Sequence, residues 1–262
     1  MAGAPYAAEL EFVLDLAREA SGVAHTRAGS VRPEEKANLS YVTDLDKDLE
    51  QLIRGRLAER FPHDQLTGEE YAAAGGTGPR AWSIDPIDGT GNMVFGMPLW
   101  SISIALIDDG EPSLGVIAVP PLGEMFWAIR GGGAWKDGQP IRCYPDSDTF
   151  HPQDNVCVST NALRTLDPRT IPGRLRDLGS ACIESAFTAM GRMVACTYLG
   201  EQRHDVAAGA VIASEAGCRF GTVDGHHLTP AQYVAATPVK VPTFVAPPRR
   251  LDALMAGVRR LD

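Results

Sequence analysis

The chain has 262 residues, 44% hydrophobic and 22% charged, with a formal net charge of −9 at pH 7. That length supports one large domain or two modest ones, and the acidic balance argues against the basic face a nucleic-acid partner would need. No run approaches the roughly 18–20 apolar residues of a membrane span, no basic segment precedes an apolar one at the start, and five scattered cysteines without a C-x-x-C pair read as reduced thiols, so a cytoplasmic protein is expected. Leu10, Val13, Leu14 and Ala17 recur at helical spacing. Leu45, Leu49, Leu52 and Ile53 do the same in a second helix, with Asp44 as its expected cap. FPHDQLTGEE ends that helix and runs through a short strand into Glu69 and Glu70, followed by the loop AAAGGTG. From Ala81 to about Ile141 the pattern is strands, AWSID, LWSISIALI, LGVIAV and EMFWAI, with turns at DDGEP and RGGGAW. After the polar connection CYPDSDTFHPQDN, strands and helices alternate, with helices expected from Ser180 and from Asp205. A final helix buries Leu251, Leu254, Met255 and Val258. The expectation is an α+β chain: a mostly antiparallel sheet flanked by helices in residues 1–147, then an α/β half in residues 148–262.

The stretch WSIDPIDGTGN carries the chemistry. Ile84 belongs to the core and Asp85 to the strand end, where Pro86 lacks an N–H and should stop the ladder. Asp88-Gly89 then turns the chain, which can bring the two carboxylates together. Such a pair repels itself unless one member protonates or a divalent cation lies between them. Oxygen donors with no histidine or thiol nearby favour Mg²⁺ over zinc. Gly89 allows a phosphate to approach the backbone closely, and Thr90 adds a hydroxyl that can orient a water. Read alone, the stretch is equally a capped turn; G-E-E upstream and H-D-V-A-A-G with E-A-G downstream supply the other carboxylates of a cation site.

With a lysine and V-T-D, G-E-E, D-P-I-D-G-T-x-N and D-x-A-A-G in that order, nearly the whole chain resembles the inositol monophosphatase family of Mg²⁺-dependent, lithium-sensitive sugar phosphatases. The resemblance implies a layered αβαβα sugar-phosphatase fold, a homodimer, and two or three Mg²⁺ ions. It implies that Glu70, Asp85, the Ile87 carbonyl and Thr90 surround the first ion, that Asp85, Asp88 and Asp205 hold the second, and that Asp44 lies near a third. Gly89 and Thr90 would receive the phosphate, Lys36 would lie nearby, and water activated beside Glu70 and Thr90 would attack phosphorus. Ser180, Ala181 and Tyr198 would face the substrate. The implied activity is hydrolysis of a small polyol or sugar phosphate. Histidinol phosphate, fructose 1,6-bisphosphate and a nucleotide 3′-phosphate are alternative substrates on the same fold, and a non-catalytic sugar-phosphate-binding regulator is the alternative of a different class.

Three positions depart from the family pattern, one of them Met93, a core exchange of similar size where phenylalanine is usual. His204 stands where tryptophan is usual, either as a packing replacement or as a contact to substrate. Tyr198 stands where inositol-phosphate enzymes tend to carry a glutamate for ring hydroxyls, so the alcohol half of the substrate is open.

Overall fold

The computed structural model describes residues 5–36 and 41–261. In the first half, α1 (Ala7–Arg27), β1 (Pro33–Glu35), β2 (Tyr41–Thr43) and α2 (Asp44–Arg60) precede β3 (Gln65–Gly68), β4 (Ala74–Gly75), β5 (Arg80–Asp88) and the short α3 (Thr90–Val94). The meander β6 (Ser101–Asp108), β7 (Glu111–Val119), β8 (Glu124–Ile129), β9 (Ala134–Lys136) and β10 (Gln139–Ile141) follows. The second half contains β11 (Asn155–Val158), α4 (Thr160–Leu163), β12 (Arg174–Arg176), α5 (Ala181–Ala189), β13 (Ala195–Tyr198) and α6 (Arg203–Glu215). It ends with β14 (Arg219–Thr222), β15 (His227–Leu228), α7 (Pro230–Ala235), β16 (Thr243–Ala246) and α8 (Pro248–Gly257).

Two large sheets result, one of eight strands in the order β10-β9-β8-β7-β6-β5-β3-β4, the other of six in the order β12-β11-β13-β16-β14-β15. The first is antiparallel except for β3 beside β5; the second mixes parallel pairs at β11 with antiparallel pairs at β16. Alternation along the strands builds the layers. Ile102, Ile104 and Leu106 face α1 and α2, whereas Ala105 and Ile107 of the same strand face α5 and α6. The far side of that helical layer rests on Cys196, Phe220 and Val245 of the second sheet, whose outer face is covered by α4 and α8. The order is therefore helix, sheet, helix, sheet, helix, the αβαβα arrangement.

Lying between two sheets, α6 has no solvent face along Val206–Ala213, which explains why it is apolar all round rather than amphipathic. Small residues let it approach: a Cβ on Gly115 of β7 would lie 2.5 Å from the Ala208 carbonyl, and one on Gly209 would lie 2.5 Å from Ser185. Helix α2 begins one residue earlier than expected. Thr43 is its cap, in a reciprocal box with Asp46, and Asp44 is the first helical residue.

Candidate active site and metal centre

The end of β5 does not stop at Pro86. Asp85 pairs with Ser103 and Asp88 with Ser101, so three steps on β5 match two on β6, and the strand carries a bulge through Pro86 and Ile87. The bulge has a chemical consequence. Residues three apart on a regular strand face opposite ways, but Ser101 and Ser103 share a face, so the extra residue turns both aspartates to the same side, toward α5 and α6. Gly89 follows at φ 87°, a left-handed conformation, and a Cβ there would lie 2.9 Å from the Leu99 carbonyl. Its neighbour Thr90 opens α3, with its hydroxyl 2.9 Å from Asp46 Oδ1 and 2.8 Å from the Ile87 carbonyl. Asp46 is fully buried, accepts the Thr43 backbone N–H at 2.9 Å, and is raised above the usual aspartate range, chiefly by burial.

Three sequence-based placements need correction. Asp44 is exposed and turned away from the other carboxylates; it accepts the Arg32 N–H at 3.3 Å and pairs with Arg27 at 3.1 Å, which lowers its pKa. Asp46 is the member of that helix turn that reaches Thr90. Glu69, not Glu70, joins Asp85 in a group of donor side chains whose ligand atoms lie within 4.8 Å of one another. β3 runs parallel to β5 as far as Gly68 beside Ile84, so the chain leaves the strand at Glu69 next to the Asp85 end of β5, and Lys36 then holds the Glu69 and Glu70 carboxylates side by side. Glu70 accepts from Lys36 Nζ at 2.6 Å, and its backbone N–H donates to Glu50 Oε2 at 2.7 Å. Lys36 also donates to Glu69 at 2.7 Å; burial pulls the lysine down, and the two carboxylates outweigh it and hold it above its ordinary range. Tyr198 is buried in the core, its hydroxyl 3.0 Å from Ser185 Oγ and from the Ala181 carbonyl. It lines no wall of the cleft beside Asp88 and Asp205.

The remaining groups come from two helix N-termini. Ser180 caps α5, and both its hydroxyl and the Cys182 N–H (2.9 Å) donate to Asp88 Oδ2. The Ser180 hydroxyl holds a carboxylate, and Ser180 and Ala181 both line the cleft. Asp205 lies in the first turn of α6, where its Oδ2 accepts the Gln202 N–H at 2.6 Å. Ligand atoms of Asp85, Asp88 and Asp205 lie within 4.8 Å of one another, and so do those of Glu69, Asp85 and His204. Asp85 belongs to both groups. The histidine was not expected beside these oxygens: its Nε2 is 3.3 Å from Asp205 Oδ1, and burial lowers its pKa.

Burial, followed by the neighbouring carboxylates, raises Asp85 and Asp88, and burial also raises Asp205. Asp85 Oδ1 is buried and accepts no hydrogen bond from the described residues. Four oxygen-donating side chains with an orphaned lone-pair site fit a hard divalent cation, whose charge removes the repulsion. Two cations would balance the −4 carried by Glu69, Asp85, Asp88 and Asp205 when all are ionised.

The same shifts fix a pH dependence. In the metal-free protein the folded state holds protons on these aspartates that the unfolded chain releases near pH 4. Glu184, pushed to about 8, and Glu201, pushed to about 7, act in the same sense, both chiefly by burial. Metal-free stability is therefore greatest on the acid side of this window and falls as pH rises toward 8. Added Mg²⁺ should raise the melting temperature by several degrees near pH 8 and much less near pH 5.5, because cation and protons compete. Thermal melts with EDTA or Mg²⁺ at the two pH values check this.

Beside the aspartates a cleft of about 160 Å³ is lined by Gly89, Thr90 and Gly91, and a larger one of about 270 Å³ opens between β5, α5 and α6. The larger is lined by Ser159, Asn161, Asp177, Ala181, Glu184 and Glu201, and its described lining includes no lysine or arginine. Among the described residues no helix is long and apolar enough to cross a membrane.

Comparison with known proteins agrees with this geometry. A family model described as the inositol monophosphatase family matches residues 7–259. A histidinol-phosphatase of Streptomyces coelicolor is 33% identical over 234 residues, covering 82% of this chain and 86% of that protein. Inositol monophosphatase 1 of Solanum lycopersicum is 35% identical over 196 residues, covering 70% and 72%. A solved IMPase structure from Thermotoga maritima matches with a TM-score of 0.79 at 26% identity, covering 95% of each chain. The chain belongs to the inositol monophosphatase family, and is a phosphoric monoester hydrolase with that family's fold.

Proposed function

We propose that this enzyme is a Mg²⁺-dependent phosphomonoesterase acting on a small polyol or sugar phosphate. The observation that carries the reading is Asp85: buried, with one oxygen unpartnered, and common to both groups of donor atoms. In this reading Glu69, Asp85, the Ile87 carbonyl, Asp88 and Asp205 are the ligands of two ions, and a third ion would match the charge of a phosphate dianion. Bound Mg²⁺ supplies Lewis-acid stabilisation of phosphoryl and leaving-group oxygens.

The protein's own groups do the rest. The first-turn N–H groups of α3, unpaired within so short a helix, are free to receive phosphate oxygens, and Gly89 keeps the approach open. The α5 and α6 N-termini add positive potential on the same side. Thr90 Oγ1, donating to Asp46, presents a lone pair to a water; the water's proton passes to Thr90 as the Thr90 proton passes to Asp46. Residues 1–147 contribute most ligands and this relay, and residues 148–262 contribute Asp205 and the wall around the leaving alcohol.

The acidic lining of the larger cleft favours a second reading in which the alcohol carries an amine, as in histidinol phosphate. Asp177, Glu184 and Glu201 would face that cation, and Glu201 Oε2 is buried without a hydrogen-bond partner among the described residues. Family likeness also supports a cytoplasmic homodimer inhibited by lithium.

Phosphate release from a panel of polyol, sugar, amino-alcohol and nucleotide phosphomonoesters at fixed Mg²⁺ tests the proposal. Release that requires Mg²⁺ and is greatest with polyol or sugar esters is expected. Preference for amino-alcohol esters would favour the second reading, and equal release in EDTA would contradict both.

A further inference from the structure

Of the two groups of donor side chains gathered at Asp85 among the described residues, one includes a nitrogen, that of His204. His204 is the second residue of α6, and its backbone carbonyl accepts the Ser103 hydroxyl of β6 at 3.4 Å, which ties this part of the helix to the strand facing the cleft. The side chain is largely buried, 16% exposed, and offers a ring nitrogen within 4.8 Å of oxygens from both Glu69 and Asp85. The unpartnered Asp85 Oδ1 is a second, independent sign that something other than a protein donor completes this corner.

We propose that His204 is a metal ligand, its imidazole joining the carboxylates of Glu69 and Asp85 in a nitrogen-containing set that prefers Mn²⁺ to Mg²⁺. The proposal rests on the reading that the cleft holds divalent cations. Mg²⁺ favours oxygen donors and gives up water reluctantly, whereas imidazole suits first-row transition ions better. The Asp85, Asp88 and Asp205 group is all oxygen and remains a Mg²⁺ type of site. The two halves of the cleft therefore differ in chemistry, with Asp85 shared between them.

The competing role for His204 is to position Asp205, from which its Nε2 lies 3.3 Å. Two variants separate the roles. His204→Gln keeps an N–H that can reach Asp205 but has no ring nitrogen, and His204→Trp fills the space with an aromatic ring that has no nitrogen lone pair to give.

The readouts are Mn²⁺ binding by equilibrium dialysis with Mg²⁺ competition, and pulsed electron paramagnetic resonance of bound Mn²⁺ in protein with ¹⁵N-labelled histidine. Wild type is expected to show a histidine-nitrogen coupling that both variants lose. The Mn²⁺-over-Mg²⁺ preference should fall about 10-fold or more in both. Mn²⁺ bound with no histidine coupling in wild type, or a preference unchanged in both variants, would overturn the proposal while leaving the cation site standing. No Mn²⁺ bound at all would overturn both.

Discussion

Replacing Asp85 with asparagine should lower metal-dependent phosphate release on the order of 10³-fold or more while raising the thermal stability of the metal-free protein. The two effects have one cause. Asp85 is 1% exposed, has an oxygen with no hydrogen-bond partner, and faces Asp88, Asp205 and Glu69. Without a cation this is a buried, repelled charge, which is costly. Asparagine has the same shape without the charge, and its amide N–H₂ can donate to the carboxylates around it, so the empty fold relaxes. It also removes the one carboxylate shared by both donor groups, so cation binding on either side suffers. Phosphate-release kinetics paired with thermal melts in EDTA read both halves. An inactive variant that also melts lower in EDTA would mean that Asp85 is needed for the fold rather than for cations.

Neighbouring acids should separate sharply in the second case. Asp46→Asn should cost about 10²- to 10⁴-fold in kcat by breaking the route for the proton leaving Thr90, while Asp44→Asn, at an exposed ion pair, should leave kcat unchanged and shift stability by no more than about 0.5 kcal/mol. Glu69→Gln should cost about 10²-fold or more with a raised Mg²⁺ requirement, and Glu70→Gln less than about 10-fold. Glu70 still matters through Lys36, which it shares with Glu69, so its effect is expected mainly in KM. Steady-state kinetics on the four variants, with Mg²⁺ titrations, check this. A larger loss from Glu70→Gln than from Glu69→Gln would return Glu70 to the centre.

These pairs also mark where the sequence was legible. The D-P-I-D-G-T run and the aspartate before A-A-G identify Asp85, Asp88 and Asp205 because each lies inside a motif with its own glycine or proline punctuation. The choice between Glu69 and Glu70 depends on how the chain leaves β3 beside the end of β5, a long-range arrangement that local spacing does not contain. Asp46 left a usable trace, since T-x-x-D at 43–46 is a capping box and places the aspartate's side chain back toward the helix start. The bulge at Pro86 and Ile87 is the less accessible feature: proline explains why the ladder is disturbed, but not that it resumes at Asp88 with both carboxylates on one face. Tyr198 failed as a substrate contact because its strand is covered on that face by α5, where Ser185 and the Ala181 carbonyl take its hydroxyl. His204 was legible as a departure, yet only the packing of α6 against β5 and β6 brings its ring to Glu69 and Asp85. The strand patterns gave an antiparallel half followed by an α/β half, the layering came only with the family resemblance, and the uniformly apolar α6 is the element whose pattern makes sense only once both sheets are in place.

Mn²⁺ anomalous diffraction from crystals of the wild type and of Asp85→Asn tests the central claim most directly. Peaks on both sides of the Asp85 carboxylate, one toward Asp88 and Asp205 and one toward Glu69, that vanish or weaken together in the variant are the predicted result. Saturating Mn²⁺ with no peak within coordination distance of Asp85 would contradict it.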